Sequence, residues 1–518
     1  MNKPIKHSPA TPPVANIPPP TERVSASPIE AEDMAQEAHR ATAEEQSNGT
    51  NRPLSAKEEA RRTLILEGPI GKGVLAVALP SVATMVLQTT NGLLDSFFVG
   101  SLGPQALAAI TVGGSLMFAL MSAAFAVSVG TTALVARFVG EGSYTQARVA
   151  AKQSLLVGLF LSLAVGLPMY FLRIPLLQAL GLQGEALDLA ARYLLVTIMG
   201  MPSLFIMLIM NGTFRGLGDT VRPFWVSLGA NCVHAGFNYL LIFGHFGFPK
   251  MGLPGGALAL VLSQIMASIL YFVFLPRTPL AGALAGSWRF DIDWAKRIGR
   301  IGLPASAQQL IRVGSMLAFQ SLLAHSIAKE TGVAALGVGL RSESIAFMPG
   351  FGYSIAASAF VGQNLGARHI KRANSGAWAA TWQAVWVMSI MGLLFATFAG
   401  PFSHLFIRHA PGETAAQAAQ VDEAIRLTAA YLHVAMWSEP FLALGMVLTG
   451  ALQGAGETVS PTVITVATMI CLRLPLGWFL LRHFGVPGAW WAMTITTIAQ
   501  GILTVILFRQ GRWRHTRI

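Results

Sequence analysis

The chain is 518 residues long, 53% hydrophobic and only 12% charged, with a mean hydropathy of +0.55. Those values exclude a soluble globular protein of ordinary composition and make a membrane protein the default. The formal net charge of +12 would suit a nucleic-acid binder, but its distribution along the chain, described below, excludes that reading.

Residues 1 to about 65 are rich in Pro, Ala, Ser and Glu, include Pro18-Pro19-Pro20 and lack apolar periodicity, which predicts a disordered tail. The first apolar run lies too far into the chain, is too long and lacks a cleavage site, so no signal peptide is expected. Beyond it, apolar runs of about 20 residues start near Val74, Leu107, Ser154, Tyr193, Phe224, Gly256, Ile301, Ala335, Ala377, Leu427, Thr462 and Ala489. They predict twelve transmembrane helices, here called spans 1 to 12.

Span 1 carries Thr84, Gln88, Asn91 and Asp95, spaced four, three and four, which stacks them in one polar stripe on an apolar cylinder. An ionised Asp facing lipid costs about 2.5–3.5 kcal/mol, and such residues usually mark ion or substrate paths. The plainer reading puts Asp95 at the outer interface, merely solvated. The three polar residues beneath it favour a cavity wall. Span 5 repeats the spacing with Ser227, Asn231, His234 and Asn238. A lone intramembrane His is more often a hydrogen-bonded core residue, but this one shares a face with two Asn and has a second polar stripe to meet.

Between spans 4 and 5 lies Gly212-Thr213-Phe214-Arg215-Gly216-Leu217-Gly218-Asp219-Thr220-Val221-Arg222-Pro223. It recurs between spans 10 and 11 as Gly450-Ala451-Leu452-Gln453-Gly454-Ala455-Gly456-Glu457-Thr458-Val459-Ser460-Pro461, identical at six of twelve positions. Leu79-Pro80 likewise matches Leu303-Pro304, Gly140 matches Gly366, and Pro202 matches Pro440, at offsets that drift from 224 to 238. Chance does not explain this; the chain is duplicated. An even number of spans per copy gives both copies one orientation. In the motif, Gly ends one helix and the acid and Thr cap the next; it lacks the Lys and preceding strand of a phosphate loop. The paired prolines inside spans 1, 4, 7 and 10 predict bends.

The duplication exposes a divergence. An offset of 224 carries Thr84, Gln88, Asn91 and Asp95 onto Gln308, Arg312, Ser315 and Phe319 of span 7. The acid is replaced by Phe319, and Arg312 stands where the first copy has Gln88, so coupling chemistry is expected in one copy. Arg341 and Glu343 of span 8 point about 200° apart and need partners elsewhere, with Arg312, Glu439 and Arg473 available. Structural ion pairs are the simpler reading and substrate contact the other. Cys232 and Cys471 fall on different copies and are expected to be small core residues.

Connections 2–3, 4–5, 6–7, 8–9 and 10–11 hold 13 Lys or Arg and the alternate connections seven, and Arg509, Arg512, Arg514 and Arg517 follow span 12. The positive-inside rule then puts both termini in the cytoplasm. The expected divisions are a tail at 1–65, a first lobe at 70–276, a linker at 277–300, a second lobe at 301–508 and a basic tail at 509–518.

These features together, with Leu93-Leu94-Asp95-Ser96, Val361-Gly362-Gln363-Asn364-Leu365-Gly366-Ala367 and Pro487-Gly488-Ala489-Trp490, resemble the multidrug and toxic compound extrusion (MATE) transporters over about residues 70 to 508. The resemblance implies an all-α polytopic fold of 12 transmembrane helices in two parallel six-helix lobes around a central cavity. It implies an antiporter, not an enzyme, needing no cofactor, that exports drug-like and often cationic compounds from the bacterial inner membrane as a monomer, against protons or sodium. Asp95 matches the family's essential helix-1 aspartate and Asn238 a helix-5 Asp or Asn. His234 falls where an Asn is usual, and Arg312 where one branch has a glutamate. The expected coupling residues are Asp95, Asn238 and His234, with Thr84, Gln88, Asn91, Asn231, Gln308, Arg312, Arg341, Glu343 and Glu439 lining the cavity. Sodium, if used, would sit at Asp95 and Asn238; protons are favoured because His titrates near neutral pH. The competing readings are a lipid-linked saccharide flippase, with cations in its cavity, and a channel or scaffold.

Overall fold

The computed structural model describes residues 54–325, 329–407 and 413–516, and every regular element among them is a helix. Most of the predicted tail lies outside the described residues. Its last part departs from expectation: Ala56–Leu66 is a helix, opened by Ser55 N donating to Glu58 Oε2 at 2.9 Å, with Ile65 and Leu66 buried.

Among the described residues, eight helices are long and apolar enough to cross a bilayer, and two bent pairs raise the number to ten. Each pair is broken before a matched proline. Gly184–Met199 meets Met201–Gly216 at 52°, with Pro202 in the first turn, and Ala415–Ala435 meets Glu439–Gly454 at 60°, with Pro440 likewise. Proline has no N–H to lose there, so the break is inexpensive. The run Val459–Gln510 also divides, at Gly485 with φ 66° and ψ −157°, a conformation glycine reaches without a Cβ clash. Ile292–Ala324, whose first turns hold Asp293, Lys296, Arg297 and Arg300, lies where span 7 is expected, so the arrangement is consistent with twelve spans. Pro80 and Pro304 lie inside spans 1 and 7 (Ile70–Gly100 and Ile292–Ala324).

Glycines set the packing, and they do so twice. A Cβ on Gly212 or Gly216 of span 4 would lie 2.7 Å from Ser128 O or 3.0 Å from Thr132 O of span 2. One on Gly450 or Gly454 of span 10 would lie 2.4 Å from Ser354 O or 2.1 Å from Ser358 O of span 8. The same contact is thus made in each repeat by the same motif, and its glycines are there for backbone approach. Gly218 and Gly456 end their helices at φ 71° and 84°, after which Asp219 Oδ1 accepts from Arg222 N and Glu457 Oε1 from Ser460 N.

Cores do not follow the repeat boundary. Val74, Val77 and Ala78, at the start of span 1, are buried with Ala356, Phe360, Ala377 and Phe508 of the second repeat. Trp294, Ile298 and Ile301, at and before the start of span 7, are buried in the first repeat's core. Gly302 packs on Ala126 O of span 2, where a Cβ would come within 2.1 Å, and Gly352 of span 8 packs on Val82 of span 1, where a Cβ would come within 2.3 Å of its side chain. Each first helix lends its basic half to the other repeat.

The helix Ala56–Leu66 crosses this basic end. Arg61 pairs with the fully buried Asp219 at 2.9 Å, and Arg222 pairs with the same carboxylate at 2.7 Å. From the second repeat, Arg372 donates to Ile65 O, Leu64 O and Gly68 O, and Asn364 Nδ2 donates to Ile65 O. One short helix therefore grips both repeats. Cys232 and Cys471, expected in the core, are both exposed; periodicity alone did not separate an exposed small residue from a packed one.

Candidate functional site

Spans 1 and 5 (Ile70–Gly100 and Val221–Phe243) lie side by side, and their two polar stripes interdigitate. Asn231 Nδ2 donates to Leu87 O at 2.9 Å. One turn on, Asn91 Nδ2 stands 2.9 Å from His234 Nδ1, and His234 Nε2 stands 3.2 Å from Asp95 Oδ1. Asn238 Nδ2 donates to the same Asp95 oxygen at 2.9 Å. The four, three, four spacing in each helix makes this ladder, because each step returns the side chain to the same face.

With the Asn91 amide in this orientation its NH2 donates, so Nδ1 of His234 accepts and the neutral ring carries its proton on Nε2, pointing at Asp95. Asn91 Oδ1 and Asn238 Oδ1 are buried without a partner among the described residues. His234 and Asn238 are each 2% exposed, whereas 34% of the Asp95 side chain stays open. The carboxylate is thus held from behind by two donors and approachable in front. Gly256 of span 6 lies behind Asn238, where a Cβ would make only an ordinary contact with Oδ1, at 3.5 Å. Tyr193 of span 4, which the sequence reading did not select, is buried within electrostatic reach of Asp95.

The other stripe members behave differently. Thr84 is buried and bonds to Pro80 O, and Gln88 is exposed. In span 7, Gln308 Nε2 donates to Thr465 Oγ1 at 2.9 Å and Ser315 Oγ to Met469 O. The second repeat therefore repeats the span 1 to span 5 contact as span 7 to span 11, without its titratable groups. The 238 offset carries His234 to Leu472 and Asn238 to Leu476, and Phe319 fills the place of Asp95, with Gly477 making room for its ring.

The ion pairs expected among Arg312, Arg341, Glu343, Glu439 and Arg473 are not formed among the described residues. Glu343 accepts instead from Tyr431 Oη, and Arg473 donates to Thr496 Oγ1 at 3.0 Å and Thr497 Oγ1 at 3.2 Å. Glu439 Oε2 is buried without a partner, and Arg341 is exposed. Hydroxyls outcompeted opposite charges as partners, a choice that helix periodicity does not reveal.

A family model described as MatE matches residues 80–240 and 304–479, the two repeats, which together make up well over half the chain. The chain belongs to the MatE family. Its two matched blocks reproduce the duplication read from the glycine motif. Among relatives of this MatE chain, a probable multidrug resistance protein NorM of Thermotoga maritima is 28% identical over 465 residues, 87% of this chain and 94% of that protein. An FAD transporter of Shewanella oneidensis is 27% identical over 441 residues, 85% and 94% of the two chains. Among solved structures, one titled as the outward-facing conformation of a multidrug resistance MATE family transporter of the MOP superfamily aligns with a TM-score of 0.78. It is 21% identical and covers 89% of this chain and 98% of that one. The fold is shared with that protein.

Proposed function

We propose that this chain is a secondary active antiporter that exports drug-like organic compounds, cationic ones among them, in exchange for protons. The observation that supports this best is the single oxygen Asp95 Oδ1 shared by His234 and Asn238, at 3.2 and 2.9 Å. Protonating that carboxylate turns an acceptor into a donor and removes the reason for span 5 to hold span 1 there. A cationic substrate offers the same carboxylate the alternative of an ion pair, so proton and substrate exclude one another. A nitrogen-bearing His234 in the ladder favours protons; sodium would need oxygen ligands, of which Asp95, Asn238 Oδ1 and Asn91 Oδ1 are available. The relatives named multidrug resistance proteins fit the reading. By the positive-inside rule the basic residues favour a cytoplasmic place for the end bearing Ala56–Leu66 in a bacterial inner-membrane protein acting as a monomer.

The test is efflux of a cationic dye from proteoliposomes under an imposed proton gradient and, separately, a sodium gradient, with wild type and Asp95→Asn. Proton-driven efflux lost in the variant is expected. Efflux driven by sodium alone would sink proton coupling, and efflux unchanged in Asp95→Asn would sink the site.

A second reading, a flippase for lipid-linked saccharides, is favoured by the unpaired Arg312 and its neighbour Arg473. A flippase would move labelled lipid carriers and no dye.

A further inference from the structure

The helix Ala56–Leu66 has 11 residues, too few to be stable in water without tertiary contacts. It stands where it does because of what it touches, and its two sets of contacts belong to different repeats. Arg61 reaches the fully buried Asp219 of the first repeat at 2.9 Å. The Ile65 side chain lies on the neighbouring Gly218, where a Cβ would meet Ile65 Cδ1 at 2.6 Å. The carbonyl of the same Ile65 faces the second repeat and accepts from Arg372 Nε at 2.9 Å and Asn364 Nδ2 at 3.3 Å. Ile65, 1% exposed, is a pin through both repeats.

Below the helix the repeats are shut against each other. Gln363 Nε2 donates to Gly216 O at 2.8 Å, and Thr220 Oγ1 donates to Val77 O at 2.9 Å, where Val77 is buried in the second repeat's core. A path from the basic end opens only when these bonds part, and the helix has then to release one repeat. The two attachments differ in how readily they release. On the second-repeat side Arg372 also donates to Leu64 O at 3.2 Å and Gly68 O at 2.5 Å, and Ile65 and Leu66 are buried in that repeat's core together with the first turns of span 1. On the first-repeat side Asp219 keeps Arg222 at 2.7 Å when Arg61 leaves, and Arg61, already 29% exposed in its side chain, passes to water. That attachment breaks at low cost and can re-form. The echo of the motif has no such partner: Glu457 Oε1 accepts from Ser460 N and Oγ and pairs with no cation among the described residues.

We infer that Ala56–Leu66 is a latch, which travels with the second repeat and catches on Gly218 and Asp219 of the first, holding the basic end shut. This goes beyond the antiport reading and rests on it only in that a transporter has to open at this end. The latch gives the acid of one glycine motif a task that its counterpart lacks.

The test uses the full-length protein with Cys232→Ser and Cys471→Ser, in detergent. Val139 of span 2, 5% exposed, lies beneath the helix in the crevice it shares with Glu58 and Arg62. A cysteine placed there by Val139→Cys is alkylated by a maleimide at a rate that follows the open fraction, however small. Arg61→Ala is expected to raise that rate about fivefold. Val226→Cys, buried within the first repeat's core, should be alkylated at an unchanged rate. Hydrogen exchange over residues 56–66 should also stay at the wild-type rate in Arg61→Ala, because the helix remains on the second repeat. Arg372→Ala removes it from that repeat and should speed both the alkylation and the exchange. An alkylation rate at residue 139 unmoved by Arg61→Ala would overturn the latch. So would an equal rise at residue 226, which signals damage to the fold, or faster exchange over 56–66 in Arg61→Ala, which places the anchor on the first repeat. Alkylation is read without gradient or dye, which separates the latch from the antiport reading. The latch signature with no gradient-driven efflux would condemn antiport and leave the latch standing. Gradient-driven efflux with alkylation unchanged in Arg61→Ala would do the reverse.

Discussion

Gly140 of span 2 and Gly366 of span 8 pack reciprocally: a Cβ on Gly140 would lie 2.0 Å from Gln363 O, and one on Gly366 2.0 Å from Arg137 O. These are the matched glycines of the duplication, meeting the backbone of each other's helix across the pseudo-two-fold. Either contact leaves no space for a side chain, and the obstacle is a carbonyl that cannot rotate away. Gly140→Ala and Gly366→Ala are each expected to part spans 2 and 8 at the basic end. Faster backbone hydrogen exchange over residues 137–142 and 363–367, with loss of dye efflux, is the outcome to look for; wild-type exchange in both variants would refute it.

Removing the supports of Asp95 should grade its function. Asn238→Ala deletes one charge-assisted hydrogen bond, worth about 1.5–3 kcal/mol, and should slow proton-driven efflux about tenfold or more. His234→Ala should cost at least as much and flatten the dependence of efflux on pH, since an imidazole contact is lost along with a bond. A pH profile of wild-type shape in His234→Ala would show that the ring is only a spacer.

Asp219→Asn should weaken the clamp at the basic end. The carboxylate is fully buried, but Arg61 and Arg222 are 29% and 28% exposed in their side chains. Solvent screening therefore reduces the loss from the cost of a fully buried pair to about 1–3 kcal/mol. A fall of a few degrees in the thermal midpoint in detergent is expected, with Arg61→Ala falling less because Arg222 remains. A midpoint at the wild-type value for Asp219→Asn would mean that the pair contributes nothing.

Tyr431→Phe takes from Glu343 its hydrogen-bond donor in a site where nothing else replaces it. About 1–3 kcal/mol of stability should go with it, read as a lower thermal midpoint. By contrast, Cys232→Ser and Cys471→Ser lie on the exposed surface and should each change stability by less than about 0.5 kcal/mol. Together they would give a cysteine-free background for labelling.

The all-helical membrane fold, the duplication and the stripes on spans 1 and 5 were legible because each is dictated by a periodic demand: apolar length for the bilayer, glycine for backbone contact, and spacings of three and four for one helix face. Asn91, Asp95, His234 and Asn238 could be selected for that reason. Tyr431 could not, because partner choice depends on which helices meet. The helix Ala56–Leu66 was hidden in a polar composition; its stability comes from Arg372, Asn364 and Asp219, all distant in sequence. Gln363 and Asn364 belong to a sequence motif to which the structure gives a physical role: they bond to Gly216 O and Ile65 O, across the repeat boundary.

The exchanged basic halves of spans 1 and 7 bear on how such a chain could have arisen. A half-length ancestor folding alone would have left Val74, Val77 and Ala78, or their counterparts, without a core to enter. Two copies, each inserting its first helix into its neighbour, would have satisfied both. Fusion would then have fixed an already interlocked dimer. Divergence at Asp95 and Phe319, and at Gln88 and Arg312, could proceed afterwards because each position had ceased to be expressed twice.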